Sequence, residues 1–263
     1  MLSFSKRSWY NKLEKRASRL WEEGESRMAP KKILTFSYDD GVTQDLRLIE
    51  ILNRYHLKGT FNLNSGCLGQ ETHFMCRGAM VRHMRFTAGA AQRVYAGHEI
   101  AVHTLNHPNL TKMDDAEVIR QVREDQRALE AIAGYPITGM AYPEGGVNHD
   151  DRVVRLIREN TNLRYARTIT SSYSFHPQQD LLRFAPTVYH IEWERMEELA
   201  EAFIHLKTDT PKLFYIWGHS YEFDIDDSWE RFERLCARLA FRRDMQYLTN
   251  RQAFDYIYAQ HGL

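Results

Sequence analysis

LTFSYDDG, residues 34–41, runs from apolar residues alternating with polar ones straight into two adjacent acids and a glycine. Alternation at period two marks a strand, so Asp39 and Asp40 stand at the carboxyl end of one. Taken by itself, Asp39-Asp40-Gly41 is a turn, with Thr43 capping the helix that follows. From Lys31 onward, however, strand-like and helix-like runs alternate, the pattern of βα units around a parallel sheet. Strands are expected near 32–37, 58–63, 98–103, 137–142, 164–168, 183–189, 212–217 and 245–248. Between them QDLRLIEILNRY, DDAEVIRQVREDQRALEAIA, DDRVVRLIREN, EWERMEELAEAFIHL and SWERFERLCARLAF carry apolar residues at helical spacing. About seven or eight strands in one α/β domain suit a distorted, closed or partly closed (β/α) barrel better than an open sheet, and such barrels collect their chemistry at the carboxyl ends of strands. That rule puts Asp39 and Asp40 on the functional face.

The chain has 263 residues, 43% hydrophobic and 12% aromatic, enough to bury a substantial core. Its 35 Lys and Arg balance 35 Asp and Glu, so no overall field recruits nucleic acid or an anionic membrane. Three cysteines, Cys67, Cys76 and Cys236, cannot all pair within the chain and match no zinc-ribbon or Cys-x-x-Cys spacing, which fits a reducing compartment. The N-terminal stretch holds no apolar run of signal-peptide length, and no later segment reaches the roughly 20 apolar residues of a membrane span. The expectation is a soluble, cytoplasmic protein with a domain over 31–263. Residues 1–30 are charged, but Trp9, Leu13, Ala17, Leu20 and Trp21 fall near helical spacing, giving an appended helix ended by Pro30. Its narrow apolar stripe is expected to pack on the domain or on a second copy, making a homo-oligomer.

In HEIAVHTLNHPNL, residues 98–110, a strand turns into a loop with His103 and His107 four apart. On a helical turn this spacing sets two imidazoles on one side, a common way to present two nitrogen ligands to a divalent ion. Two His and one carboxylate leave positions open for water and a substrate oxygen. A second carboxylate beside the ion, not bound to it, can serve as general base, so adjacent aspartates can divide into ligand and base. Two further strand ends contribute. GMAYPEGG (139–146) closes in a tight turn at Tyr142, Pro143 and Glu144 that can offer NH groups to an oxyanion. LFYIWGHSYEF (213–223) leads to His219, a semi-buried polar group by itself and a general acid if it faces the ion.

These stretches resemble the polysaccharide deacetylase superfamily, with its NodB-like catalytic domain. The family's Thr-Phe-Asp-Asp-Gly motif is similar to TFSYDDG with two residues inserted, and its His-Ser/Thr-x-x-His motif is matched by HTLNH. Arg-x-Pro-Tyr/Phe-Gly is similar to AYPEGG, and the family's last motif, an apolar strand ending in His, to YIWGH. The resemblance spans roughly residues 31–249, with motifs and strands in the same order. It implies a metal-dependent hydrolase that removes an N-acetyl or similar acyl group from an amino sugar. Asp39 would be the base, His219 the acid, and Asp40, His103 and His107 the holders of a divalent ion, zinc first, with cobalt or nickel as substitutes. Trp217 and Tyr221, with Tyr142 and Tyr173, are candidates to stack on a sugar ring. The chain departs from the pattern twice. Ala141 stands where the family has an arginine that orients the base, and Arg167, in LRYARTI at the end of the next strand, is the candidate replacement. The family's Asp-x-x-Trp segment behind the acid His has no match. Two other readings stay open: an amidohydrolase acting on a small non-sugar amide or ureide, and a carbohydrate-binding relative that has lost catalysis along with the arginine.

Overall fold

The computed structural model describes residues 30–259. In chain order the elements are β1 (Lys32–Asp39), α1 (Asp45–Arg54), β2 (Gly59–Leu63), β3 (Glu71–Cys76), β4 (Ala79–Met84), α2 (Ala88–Val94), β5 (Glu99–Val102), α3 (Asp115–Ala133) and β6 (Gly139–Ala141). Then follow α4 (Asp151–Asn160), β7 (Tyr165–Arg167), β8 (Val188–Tyr189), α5 (Trp193–His205), β9 (Lys212–Gly218), α6 (Glu222–Ile225), α7 (Trp229–Leu239), β10 (Met245–Tyr247) and α8 (Asn250–Tyr258).

Each of the eight expected strands appears in one parallel sheet, ordered β7-β6-β5-β2-β1-β9-β8 with β10 also on β1. β1 is the hub. Along one edge it pairs β10 from Lys32 to Leu34 and β2 from Phe36 to Asp39; along the other it pairs β9 from Lys32 to Tyr38. Phe184 bridges Arg167 of β7, and Val188 and Tyr189 pair β9. The segment 184–189 thus links the two ends of the sheet and curls it into the distorted (β/α) barrel.

With both faces of the barrel wall covered, every residue of β1 is buried, and alternation decides which way each points. Leu34, Phe36 and Tyr38 enter the main core under the helices, with Leu48, Phe232 and Leu239, while Ile33 packs with Tyr215 and Phe254 in a second cluster. Thr35 donates to the Asn250 side chain at 2.8 Å, so α8 packs against the end of the barrel opposite Asp39. The flanking helices begin where side-chain acceptors allow: Asp114 and Asp150 each accept a backbone N–H at 2.8 Å, and Thr249 and Gln252 form a capping box.

The structure departs from the sequence expectation in several places. β3 and β4 form an unanticipated antiparallel hairpin, turned through Arg77 (φ 48°) and Gly78 (φ 83°), both left-handed as a tight two-residue hairpin turn requires. The strand expected over 183–189 shrinks to Val188–Tyr189, because a 3₁₀ turn occupies Leu181–Arg183 and Pro186 follows. Helices α2, α6 and α8 were not among those expected. Thr43 does not cap α1, whose N-terminus has no side-chain cap. The N-terminal helix expected within residues 1–30 lies outside the described residues, and with it the homo-oligomer expectation. Among the described residues, no helix is long and apolar enough to cross a membrane, and Cys67, Cys76 and Cys236 are all unpaired.

Candidate active site

β1 ends at Asp39, and the chain reverses through two left-handed residues, Asp40 (φ 80°) and Gly41 (φ 67°). A Cβ on Gly41 would lie 2.6 Å from Leu63 Cδ2, so this position needs glycine for space as well as for φ. The turn aims both adjacent carboxylates into one cavity of about 640 Å³, also lined by His103, His107, Glu144 and His219. Thr104, His107 and Glu144 are left-handed as well, at φ 69°, 61° and 68°. Each such non-glycine conformation costs on the order of 1–3 kcal/mol and tends to cluster where side chains must converge.

Asp40, His103 and His107 each offer a ligand atom within 4.8 Å of the others. Asp40 Oδ1 lies 3.8 Å from His103 Nε2 and 3.5 Å from His107 Nε2. His103 Nδ1 contacts the Ala141 carbonyl at 2.8 Å, and a carbonyl can only accept, so Nδ1 carries the proton and Nε2 a lone pair. Burial pushes His103 down to about 4, keeping the ring neutral. The other Asp40 oxygen accepts from His83 Nε2 at 3.0 Å. Burial would raise the Asp40 carboxyl, but that hydrogen bond and the charges of His107, His219 and His83 hold it well below the usual carboxylate range. Asp40 Oδ1 and His103 Nε2 are buried without a hydrogen-bond partner. Two orphaned acceptors facing each other across a carboxylate and an imidazole are what a divalent cation would satisfy, so these residues fit one. Asp125 supports the set by accepting the His103 N–H at 3.1 Å.

Asp39 is held from both sides. Its Oδ1 accepts from Asn62 Nδ2 at 2.7 Å, and its Oδ2 from the Arg167 guanidinium. Asn62 is its register partner on β2, while Arg167 closes β7, so both donors stand at strand ends of the same face. Burial pushes the Asp39 carboxyl up, and Arg167, His103 and His219 more than offset it, leaving it below its ordinary value. Ala141 supplies no such donor. Arg167 is fully buried, with its guanidinium 4.3 Å over the Trp217 ring. Arg167→Lys keeps the charge but loses the planar fork, so it is expected to retain metal and lower kcat by up to about 10²-fold through a displaced Asp39. Metal content and single-turnover rates check this; unchanged kcat would end the orienting role.

His219 follows β9, its Nε2 4.0 Å from Asp39 Oδ2 and its Nδ1 3.3 Å from Glu222 Oε2. Glu222 also accepts the His219 main-chain N–H at 3.1 Å, His190 Nε2 at 2.8 Å and the Tyr189 hydroxyl. His190 Nδ1 then accepts from the Tyr38 hydroxyl at 3.2 Å. A Cβ at position 218 would sit 2.6 Å from His190 Nδ1, so Gly218 lets that ring pack directly behind the strand end. Burial would depress His219, but Glu222, by charge and hydrogen bond, together with Asp39 and Asp40, raises it to about 9. The ring is therefore protonated at neutral pH, and its proton is lost only as pH rises through that value. Glu222→Gln removes the largest raising influence, so the alkaline limb of the kcat/KM profile is expected to move to lower pH. An unmoved limb would mean that Glu222 does not set the proton affinity of His219.

Of the turn residues, Tyr142 commits its N–H to the Arg167 carbonyl at 3.0 Å and its hydroxyl to the Leu182 carbonyl at 2.8 Å, and Pro143 has no N–H. This leaves Glu144 as the oxyanion candidate of the three. Trp217 lines the cavity but is buried, with Arg167 over its ring and Tyr189 stacked on it at 4.2 Å, which leaves little of its face free for a sugar. Tyr142 is likewise buried and stacked on His149, and Tyr173 is not among the residues lining the cavity. Tyr221 lines the cavity but is only 7% exposed, whereas Phe74 of the hairpin, edge-on to it at 5.7 Å, keeps 36% of its surface free. Asn62, His83, His190 and Glu222 are not among the site residues expected from the sequence. The His-x-x-Glu spacing from His219 to Glu222 was the one local signal available.

A family model for polysaccharide deacetylase matches residues 26–166, just over half of the 263-residue chain. The chain belongs to the polysaccharide deacetylase family. Among curated relatives, the peptidoglycan-N-acetylglucosamine deacetylase PgdA of Listeria monocytogenes is 28% identical over 119 residues, 44% of this chain and 22% of that protein. The peptidoglycan-N-acetylmuramic acid deacetylase PdaC of Bacillus subtilis is 25% identical over 124 residues, 46% and 23% of the two chains. The matches therefore span less than a quarter of these relatives. Among solved structures, a family 4 acetyl xylan esterase from Clostridium thermocellum in complex with a cobalt ion superposes with a TM-score of 0.54 at 17% identity, covering 86% of this chain and 91% of that one. At that identity it shows the fold. The stretch matched by the polysaccharide deacetylase model includes Asp39, Asp40, His103, His107 and the 142–144 turn, and ends before Arg167, His219 and Glu222.

Proposed function

We propose that this chain is a metal-dependent N-deacetylase acting on an N-acetylated carbohydrate. The observation that carries the reading is the pair of orphaned acceptors, Asp40 Oδ1 and His103 Nε2, set beside a second carboxylate whose two oxygens are already held. Asp40, His103 and His107 would hold the ion, which when bound polarises the acyl carbonyl and acidifies water. Asp39, ionised and fixed by Asn62 and Arg167, takes the proton of the attacking water. The Glu144 main-chain N–H donates to the developing oxyanion. His219, carrying its proton with Glu222 behind it, delivers that proton to the departing amine. The cobalt-bound fold relative and the two peptidoglycan deacetylases support a metal and an amino-sugar amide as substrate. The reading of a catalytically silent relative rested on the missing arginine at Ala141, and Arg167 supplies a guanidinium to the same aspartate.

The test is acetate release from chitooligosaccharides by the metal-loaded protein, before and after chelation, with small ureides and linear amides as the rival substrates. Release that stops on chelation and returns with zinc or cobalt is expected. Turnover of the small amides alone would transfer the site to the amidohydrolase reading.

A further inference from the structure

The β3–β4 hairpin does more than cover the barrel mouth. The end of β4 and the residues just past it are tied to the turn after the two aspartates: Thr43 N–H donates to Met84 O at 2.8 Å, Phe86 N–H to Gly41 O at 3.1 Å, and Arg85 bridges Val42. Val81 and His83 of β4 and Arg85 just after it are buried, with Arg82 exposed and Met84 half-buried between them, so all three face inward. His83 reaches Asp40. Arg85, two residues on, lines the same cavity and is 8% exposed. It has no carboxylate within ion-pair distance among the described residues, and its Nε is buried without a hydrogen bond. The contrast with Arg167 is direct, because that guanidinium is buried against Asp39. A buried guanidinium without a counter-charge is costly and persists where something outside the chain completes it. Asp39 is matched by Arg167, Asp40 faces the ion site, and Glu144, half exposed, lies 3.5 Å from His107 Nδ1, which leaves Arg85 without an ion pair among the described residues of the cavity. We propose that Arg85 receives a carboxylate of the substrate, carried on the N-acylated sugar itself or on the sugar beside it. A planar guanidinium suits this task because its paired donors match a carboxylate. The inference rests on the deacetylase reading and narrows it to acidic glycans.

The experiment measures acetate release by the full, metal-loaded chain from three tetrasaccharides. These are neutral chitotetraose, a hyaluronan tetrasaccharide with its carboxylates on the neighbouring rings, and an alternating N-acetylglucosamine and N-acetylmuramic acid tetrasaccharide with a carboxylate on an acylated ring. The methyl esters of the two acidic ones complete the set. Wild type is expected to favour one acid over its own ester by about 10- to 100-fold in kcat/KM. Which acid it favours tells which ring carries the group. In Arg85→Gln that acid-to-ester ratio is expected to collapse toward one, and in Arg85→Lys to recover in part. The ratio, rather than the absolute rate, is the readout, since a merely structural arginine would lower acid and ester together. Arg85→Met is expected to melt no lower than wild type, because no ion pair is lost. Equal rates on acid and ester in wild type, an unchanged ratio in Arg85→Gln, or a drop of several degrees in Arg85→Met would each overturn the proposal. Acetate release from the neutral sugar with no acid preference sinks this inference alone; release from none sinks the deacetylase reading and this inference with it.

Discussion

Asp39→Asn is expected to keep its bound metal and lose about 10²- to 10⁴-fold in kcat, the usual cost of removing a general base. The amide preserves the shape of the carboxylate but cannot accept the proton of water. Metal retention is expected because the proposed ligands are Asp40, His103 and His107, and Asp39 Oδ2 is turned to Arg167. The same substitution leaves Arg167 buried without its counter-charge, so a lowered melting temperature is also expected. Kinetics therefore belong well below the transition, with metal content measured on the same sample. Near-normal activity in Asp39→Asn alongside a dead Asp40→Asn would show that the two aspartates divide their labour otherwise.

His107→Ala is expected to release the ion. His107 is the most exposed of the three proposed ligands, with its side chain 24% accessible, so truncation opens space to solvent and leaves the core intact. Two remaining ligands bind a divalent ion far more weakly than three, and the fall in affinity should exceed the roughly 10- to 100-fold that loss of a supporting partner costs. Competition against a chromophoric chelator measures it without reference to turnover. Full occupancy in the folded variant would remove Asp40, His103 and His107 from consideration as a metal site.

Much of this site was legible in the sequence because its residues sit at strand ends, where local pattern tells both element and face. The period of residues 34–39 placed Asp39 and Asp40 at the carboxyl end of β1, and the His103 to His107 spacing needed only the loop after β5. Even Arg167 was reachable from sequence, since parallel strands of one barrel end on one face. The orientation of Trp217 was not. A strand position tells which side of the sheet a ring faces, but whether Arg167 and Tyr189 already cover that ring depends on two other strands.

The partners that steady the chemistry lay further beyond sequence reading. His83 and Arg85 come from a hairpin whose outer strand is exposed along most of its length, so no clean alternation marks it, and Arg77 at a left-handed turn position sends no turn signal. Asn62 reaches Asp39 by register, across a strand pairing that residues 34–41 do not contain. By itself, then, the sequence determined the βα alternation, the barrel class, and the aspartates and histidines at the strand ends, because each is written in local period and spacing. Only the tertiary structure decided which donor holds which carboxylate oxygen, which aromatic face is free and which cation is left unmatched, because those depend on side chains brought within a few ångströms from strands far apart in the chain.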